Sequence, residues 1–270
     1  MGNTKSRLDI ALLEKGLVES REKAKAMIMA GETFVNGQPA TKAGIMVNAD
    51  DEIVVRKKTP EFASRGGLKL QKALELFCIS VDGALCMDIG ASTGGFTDCL
   101  LKHGAKRVWA IDVGYGQLAY KLRTDERVVC LERTNFRHMP FEAVGSKVGF
   151  ASMDVSFISA AKLAGNLIQF LDSSSKLVVL VKPQFEGKRE YVGKNGVVSS
   201  LEFHGKILAD YLVQMDGLGY SIEGLSHSPI KGPKGNIEFL AYHAIGGQNG
   251  LRAMDLAMDA AQKAHGDLNV

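Results

Sequence analysis

The segment from Ala84 to His103 constrains this chain more than any other. Ala84-Leu85-Cys86-Met87 is apolar enough for a buried strand, and Gly90, Gly94 and Gly95 cluster just behind it. Phe96 to His103 then reads as a helix, with Thr93 as its N-cap. Strand, glycine turn and helix in immediate succession are the first unit of a nucleotide-binding α/β fold. Glycines let the backbone approach a ligand closely, and the helix start presents unpaired N–H groups. A second strand, Arg107 to Ile111, ends in Asp112, where a carboxylate can accept hydrogen bonds from a ribose.

The glycine pattern narrows the ligand. A dinucleotide fingerprint has a second glycine where this chain has Ser92, and no phosphate-gripping Gly-Lys-Ser/Thr loop is present. Without a diphosphate cradle the better candidate is S-adenosylmethionine, which carries adenosine and a methionyl tail but no phosphate. The competing reading is a tight strand-to-helix turn with no ligand, and this segment alone does not separate the two.

A chain of 270 residues accommodates two modest domains. With 33 basic and 30 acidic residues the net charge is only +3, so an anionic partner must meet local patches rather than an overall basic field. Cys78, Cys86, Cys99 and Cys130 lack CxxC or metal-ligand spacing and sit in apolar settings, as reduced core residues do; no metal site is expected. The polar start through Arg7 does not look like a signal peptide, and the longest aliphatic run, Leu177 to Val181, is too short to span a bilayer. A soluble cytoplasmic protein without a membrane partner is the expectation.

An organisational break falls at Lys57-Lys58-Thr59-Pro60. The expected division is a small α+β domain over 1–58, a connector over 59–67 and the α/β domain over 68–270. In the first, Arg7 to Lys15 reads as a helix with Leu8, Ala11, Leu12 and Val18 on its apolar side. Ser20 caps a second helix, Arg21 to Ala30, with Ala24, Met27 and Ile28 facing the first. Phe34-Val35-Asn36-Gly37 signals a hairpin, and Glu52 to Arg56 a strand. Arg7, Lys15, Arg21, Lys23 and Lys25 would line one side, although interspersed Asp9, Glu14, Glu19 and Glu22 are equally what a solvated charged face contains. The pattern RLDIALLEKGLVESREKAKAMIMAGETFVNG resembles the alpha-L RNA-binding module first named for a small-subunit ribosomal protein. That resemblance implies RNA contacts by Arg7, Ser20, Arg21 and Lys25, of the phosphate-directed kind that gives affinity rather than sequence choice.

After the break, strand and helix alternate as in a doubly wound sheet. Strands are expected at Ala84–Ile89, Arg107–Ile111, Val128–Leu131, Val148–Met153, Leu177–Val181, Tyr220–Leu225 and Ile237–His243. Helices are expected at Leu68–Leu76, Phe96–His103, Ser159–Leu171 and Ser199–Leu218, and an amphipathic tail beyond Asn249 sets Leu251, Met254, Met258 and Ala261 on one face to close the domain. Asp154 follows one apolar strand and Lys182 another, where an open α/β sheet forms its ligand crevice. Lys69 opens the first helix after Arg65-Gly66-Gly67, and Glu238 opens the last strand. Singly, each is as readily a surface charge or a structural ion pair.

Together, Lys69, Asp154, Lys182 and Glu238 resemble the Lys-Asp-Lys-Glu tetrad of ribose 2′-O-methyltransferases of the FtsJ/RrmJ superfamily. More narrowly, SRGGLKL, DIGASTGGFTDCLL, RTNFR, MDVSFIS, VKPQFE and SPIKGPKGNIEFL are similar to the TlyA family over nearly the whole chain. The resemblance implies a class I, Rossmann-like methyltransferase that acts on cytidine ribose in ribosomal RNA or ribosomal subunits with S-adenosyl-L-methionine as cofactor. It implies cofactor contacts from Asp88, Gly90, Ala91, Ser92, Thr93, Gly94, Gly95, Phe96 and Asp112. Asn135 and Asp154 would add contacts, with Asn135 equally a turn residue. It also implies a catalytic site made of the tetrad.

Methyl transfer to a hydroxyl needs alignment and a base beside the oxygen. A lysine serves as base only when neutral, which burial or a nearby like charge favours. Lys69 would act on Lys182 in that sense, and Asp154 and Glu238 against it. The assignment is Lys182 as base, Lys69 and Glu238 orienting base and hydroxyl, and Asp154 organising the site beside the methyl donor. Arg65 and the glycine-rich loop GKREYVGKNGV, with Lys188, Arg189, Lys194 and Tyr191, would meet RNA phosphates and a base, or else form an ordinary surface loop. Two rival functions are a non-catalytic RNA-binding assembly factor and a membrane-active hemolysin, as some family members were first labelled. An intact tetrad weighs against the former, and the lack of a basic amphipathic or membrane-spanning helix against the latter.

Overall fold

The computed structural model describes residues 5–55, 61–246 and 253–268. The chain divides at Pro60/Glu61 into two units, each with its own core.

In the first unit, β1 (Ser6–Arg7) leads into α1 (Leu8–Glu14) and then α2 (Arg21–Met29). Leu8, Ala11, Leu12 and Val18 pack on Ala24, Met27 and Ile28, as their spacing predicts. The hairpin β2 (Thr33–Val35) and β3 (Gln38–Pro39) turns at Asn36 and Gly37, both with positive φ, so its handedness matches the strand twist. β4 (Met46–Val47) pairs with β1, and β5 (Ile53–Val55) with β2. Arg56, expected to end that last strand, lies outside the described residues.

The second unit begins inside the stretch expected as connector. Phe62 is buried, and the Ala63 N–H donates to the Asp98 carboxylate at 2.7 Å. The elements then run α3 (Gly66–Leu76), β6 (Leu85–Ile89), α4 (Gly95–Lys102), β7 (Arg107–Ile111), α5 (Tyr120–Arg123), β8 (Val128–Leu131), β9 (Phe150–Met153) and α6 (Ala161–Leu167). They continue with β10 (Lys176–Val181), α7 (Pro183–Glu186), α8 (Leu201–Gly217), β11 (Tyr220–His227), β12 (Phe239–Ile245) and α9 (Ala253–Asp267).

The strands form one seven-stranded sheet in the order β11-β12-β10-β9-β6-β7-β8. β6 to β10 are parallel, and β12 runs antiparallel between β10 and the edge strand β11. Helices cover both faces, which is why these strands read as continuous apolar runs. Met87, Ile89 and Trp109 point toward α6, α8 and α9, whereas Cys86, Val108 and Ala110 point toward α3 and α4. The sheet reverses its winding between β6 and β9, and a crevice opens there beyond the carboxyl ends of the strands.

Two details differ from expectation. Gly94, not Thr93, sits at the N-cap of α4, with φ of 92°, while Thr93 is exposed and makes no side-chain cap. A left-handed residue is needed there to turn the chain, and glycine adopts it without cost. α9 does close the unit, but by an alanine stripe (Ala253, Ala257, Ala260, Ala261, Ala264), with Met254 half exposed. Small side chains let it lie close to α8, where Gly205 leaves room for Met258. Leu251 lies outside the described residues.

Candidate active site

Asp112, Asp154 and Lys182 each directly follow the last residue of a parallel strand, at β7, β9 and β10. The turn after β6 passes so close to β9 that a Cβ on Gly90 would overlap the Asp154 carbonyl oxygen, and Gly90 has φ of 85°. Only glycine fits that crossing. The Ser92 N–H donates to one Asp112 oxygen at 2.8 Å and the Gly114 N–H to the other at 2.7 Å, fixing the carboxylate at the cavity wall.

One cavity of about 480 Å³ runs along these strand ends, lined by Gly90, Ser92, Asp112, Asn135 and Asp154 among others. A smaller one of about 100 Å³ adjoins it at Ser64, Ala91, Thr93, Gly95 and Phe96. A third, also about 480 Å³, is lined by Lys69, Asp154, Lys182 and Glu238 together. Asp154 belongs to all three. The first has the size and the backbone-walled, partly apolar character of a nucleoside-binding cleft.

Within the third cavity the charges are matched. Lys69 Nζ meets Glu238 Oε2 at 2.5 Å in a buried pair, and Lys182 Nζ meets Asp154 Oδ1 at 2.7 Å. Lys182 Nζ also donates to Ser156 Oγ at 3.0 Å. Each lysine thus has its own carboxylate, rather than the two lysines facing one another without counter-charge.

Other expected contacts are placed differently. Asp88 lies beneath the loop and lines none of these cavities: its buried carboxylate accepts from Thr97 Oγ1 at 2.6 Å and Ser152 Oγ at 3.3 Å. Burial pushes it up to about 7, the nearby Asp154 adding to the effect and the Thr97 and Ser152 hydrogen bonds opposing it. Gly94 likewise lines none of the three, being packed against Leu118 and Leu122. Asn135 both lines the first cavity and holds the following turn, accepting from the Arg137 N–H at 3.1 Å.

In the N-terminal unit, Arg7 and Arg21 converge on the fully buried Asp9, at 3.0 and 2.8 Å. The Arg7 hydrogen bond, helped by Arg21, holds that carboxyl down to about 2 against the opposing effect of burial. Ser20 is used as a cap, accepting from the Lys23 N–H at 3.2 Å. These residues build the module as well as edging it, and Lys25 stays exposed. Arg65, Lys188, Arg189 and Lys194 are exposed too, while Tyr191 stacks on Phe203 at 4.7 Å instead of standing free for a base.

Several residues at the site are not singled out by the sequence, although Ser156, Phe157 and Asn236 fall within its family-like motifs. Ser156 and Phe157 line both large cavities. Phe157 is 90% exposed at a φ of 66°, a strained setting for a bulky residue, with its ring 5.2 Å from that of Phe185. Asn236 is buried, accepting from the Val198 N–H at 3.0 Å and donating to the Gly196 carbonyl at 2.9 Å, and so ties the outer walls of the tetrad cavity together. Glu132 gathers the N–H groups of Gly116, Gln117 and Leu118 and the Arg123 guanidinium, which hold it down to about 2 and shape the loop after β7.

The FtsJ-like methyltransferase family model matches residues 62–244, and an S4 domain model matches residues 6–53. The chain belongs to the FtsJ-like methyltransferase family. Among its relatives, YqxC of Bacillus subtilis is 48% identical over 243 residues, covering 90% of this chain and 86% of the relative. The 16S/23S rRNA (cytidine-2′-O)-methyltransferase TlyA of Mycobacterium tuberculosis is 41% identical over 261 residues, covering 96% and 97% of the two chains. A solved, hemolysin-named structure from Streptococcus thermophilus superposes with a TM-score of 0.76 at 40% identity, covering 99% of this chain and 98% of that one. An FtsJ-like methyltransferase unit thus follows an S4 unit, and the tetrad cavity lies within the former.

Proposed function

We propose that this methyltransferase transfers a methyl group from S-adenosylmethionine to the 2′-hydroxyl of a cytidine ribose in ribosomal RNA. The observation that carries the reading is the meeting of Lys69, Asp154, Lys182 and Glu238 at one cavity that shares Asp154 with the cleft at the glycine turn. The names of the relatives agree with it, and the S4 unit supplies a module suited to folded RNA.

The residues of the cleft fit S-adenosylmethionine. Asp112 suits the ribose hydroxyls, the Gly90–Phe96 turn admits a ligand close to backbone, and no diphosphate cradle is present. When bound there, the cofactor supplies a methyl on a sulfonium. Lys182, paired with Asp154 and donating to Ser156, lines the tetrad cavity, where in its neutral form it takes the proton of the ribose hydroxyl. Lys69, fixed by Glu238, hydrogen-bonds the same oxygen and orients it. Asp154 keeps the lysine beside the wall of the cofactor cleft. Arg65, Lys188, Arg189 and Lys194 offer exposed cations near the RNA path, with Arg7, Arg21 and Lys25 on the S4 unit.

Mapping ribose methylation in ribosomal RNA from cells with and without the protein tests this reading. A cytidine that loses its 2′-O-methyl group when the protein is absent is the expected result. Identical maps would overturn it. Among the described residues no helix is long and apolar enough to cross a membrane.

A further inference from the structure

The two connections that carry the central ion pair are joined at a second point. After β9 the chain passes Asp154, Ser156 and Phe157 before entering α6, and after β10 it passes Lys182 before the single turn of α7. Glu186, the last residue of α7, reaches back across this gap. One carboxylate oxygen accepts from Ser159 Oγ at 2.6 Å and the other from the Ala160 N–H at 2.7 Å, at the start of α6. The Glu186 N–H itself donates to the Lys182 carbonyl at 3.2 Å, so carboxylate and catalytic backbone move together.

We propose that Glu186 is a positioning residue that sets where Lys182 stands relative to the cofactor cleft; the inference rests on Lys182 being the base. Without the Glu186 tie, the β9–α6 connection would be joined to the Lys182 turn by the side-chain contacts Lys182–Asp154, Lys182–Ser156 and Phe157–Phe185. The first two hang on the amine that must change protonation during the reaction, and the third is a ring contact on an exposed residue. Glu186 supplies a fixed reference that does not pass through the reacting group. Its two short hydrogen bonds are directional enough for that task, and they favour the carboxylate against burial, which raises the carboxyl above its usual range. An alignment error of about 1 Å costs on the order of 10²-fold in rate, so a lost tie should be visible in turnover.

The test is single-turnover and steady-state methylation of ribosomal subunits with radiolabelled S-adenosylmethionine. Glu186→Ala should lower kcat by ~10-fold or more while KM for cofactor and for subunits stays within about threefold, the pattern of an interaction felt only in the transition state. Glu186→Gln keeps an acceptor for the Ala160 N–H and should recover most of the rate. Ser159→Ala, which removes only one hydroxyl, should show an intermediate loss and covers the case in which Glu186→Ala folds poorly. In a Lys182→Ala background the Glu186→Ala change should cost under about twofold more, because its effect runs through the lysine. An equal loss in both backgrounds, or a loss confined to KM for the cofactor, would overturn the positioning role. Full turnover by Lys182→Ala alone would instead remove the base assignment on which the proposal stands.

Discussion

Lys182 is where the chemistry is most exposed to test. Changing it to Ala removes the proposed base and leaves the glycine turn, Asp112 and the S4 unit untouched. Methyl transfer should fall by at least ~10²-fold, the usual contribution of a positioned base, with cofactor and RNA binding near those of the parent. Lys182→Arg should not rescue turnover, since a guanidinium keeps its proton at neutral pH while still satisfying Asp154. Substantial turnover by the arginine variant would make the residue an electrostatic positioner. A second residue-level prediction concerns Gly90, whose added side chain would strike the Asp154 carbonyl. Gly90→Val should abolish the calorimetric signal for S-adenosylmethionine, and unchanged binding would remove the glycine turn from the cofactor site. The positions of Asp112, Asp154 and Lys182 are legible in sequence because each ends an apolar run that can only be a buried strand. Ser156, Phe157 and Glu186 fall inside family-like motifs, but their roles are not legible there, because those roles depend on how the loops after β9 and β10 fold against each other. The second use of Arg7 and Arg21 is hidden for a related reason: alternating charges give no sign that Asp9 is buried and pairs with both guanidinium groups.

At the scale of elements, β6 and α4 are pinned by one buried carboxylate. Asp88 lies under the turn, bonded to α4 through Thr97 and to β9 through Ser152. Burial lifts it to about 7 from an ordinary value of 3.8, so the folded state favours the protonated form. Its contribution to stability is therefore full below pH 3.8 and is lost as pH rises toward about 7. Asp88→Asn carries no charge and escapes that loss. The melting temperature of the variant relative to the parent should climb across this window, by a free energy of at most about 4 kcal/mol. A difference that stays flat with pH would mean the carboxylate is accommodated in its charged form. Strand positions were largely readable because a sheet buried on both faces demands continuous apolar runs. The cap of α4 was not, because Thr93 and Gly94 both fit a helix start and only the direction of the turn decides between them.

For the whole molecule, the division at Pro60/Glu61 separates a small core of α1 and α2 from a second unit that contains every tetrad residue. Phe62 and Ala63 are built into the second unit, so a clean truncation removes residues 1–60 and retains them. The remaining chain should bind S-adenosylmethionine nearly as the full chain does, because every residue proposed to hold it lies beyond the cut. Affinity for ribosomal subunits should drop by ~10-fold or more, since the exposed cations of the S4 unit no longer reach phosphate. Neutralising phosphates releases counterions, so the full chain should lose affinity more steeply as salt rises than the truncated one. Each phosphate contact removed should reduce the log–log slope by roughly 0.7 to 0.9. Filter binding over a range of salt concentrations measures both slopes, and methylation assays on the same subunits measure the consequence. Should the truncated enzyme bind and methylate subunits as the full chain does, with an unchanged slope, the S4 unit would have no part in substrate capture. The cations around the tetrad cavity would then have to carry it alone.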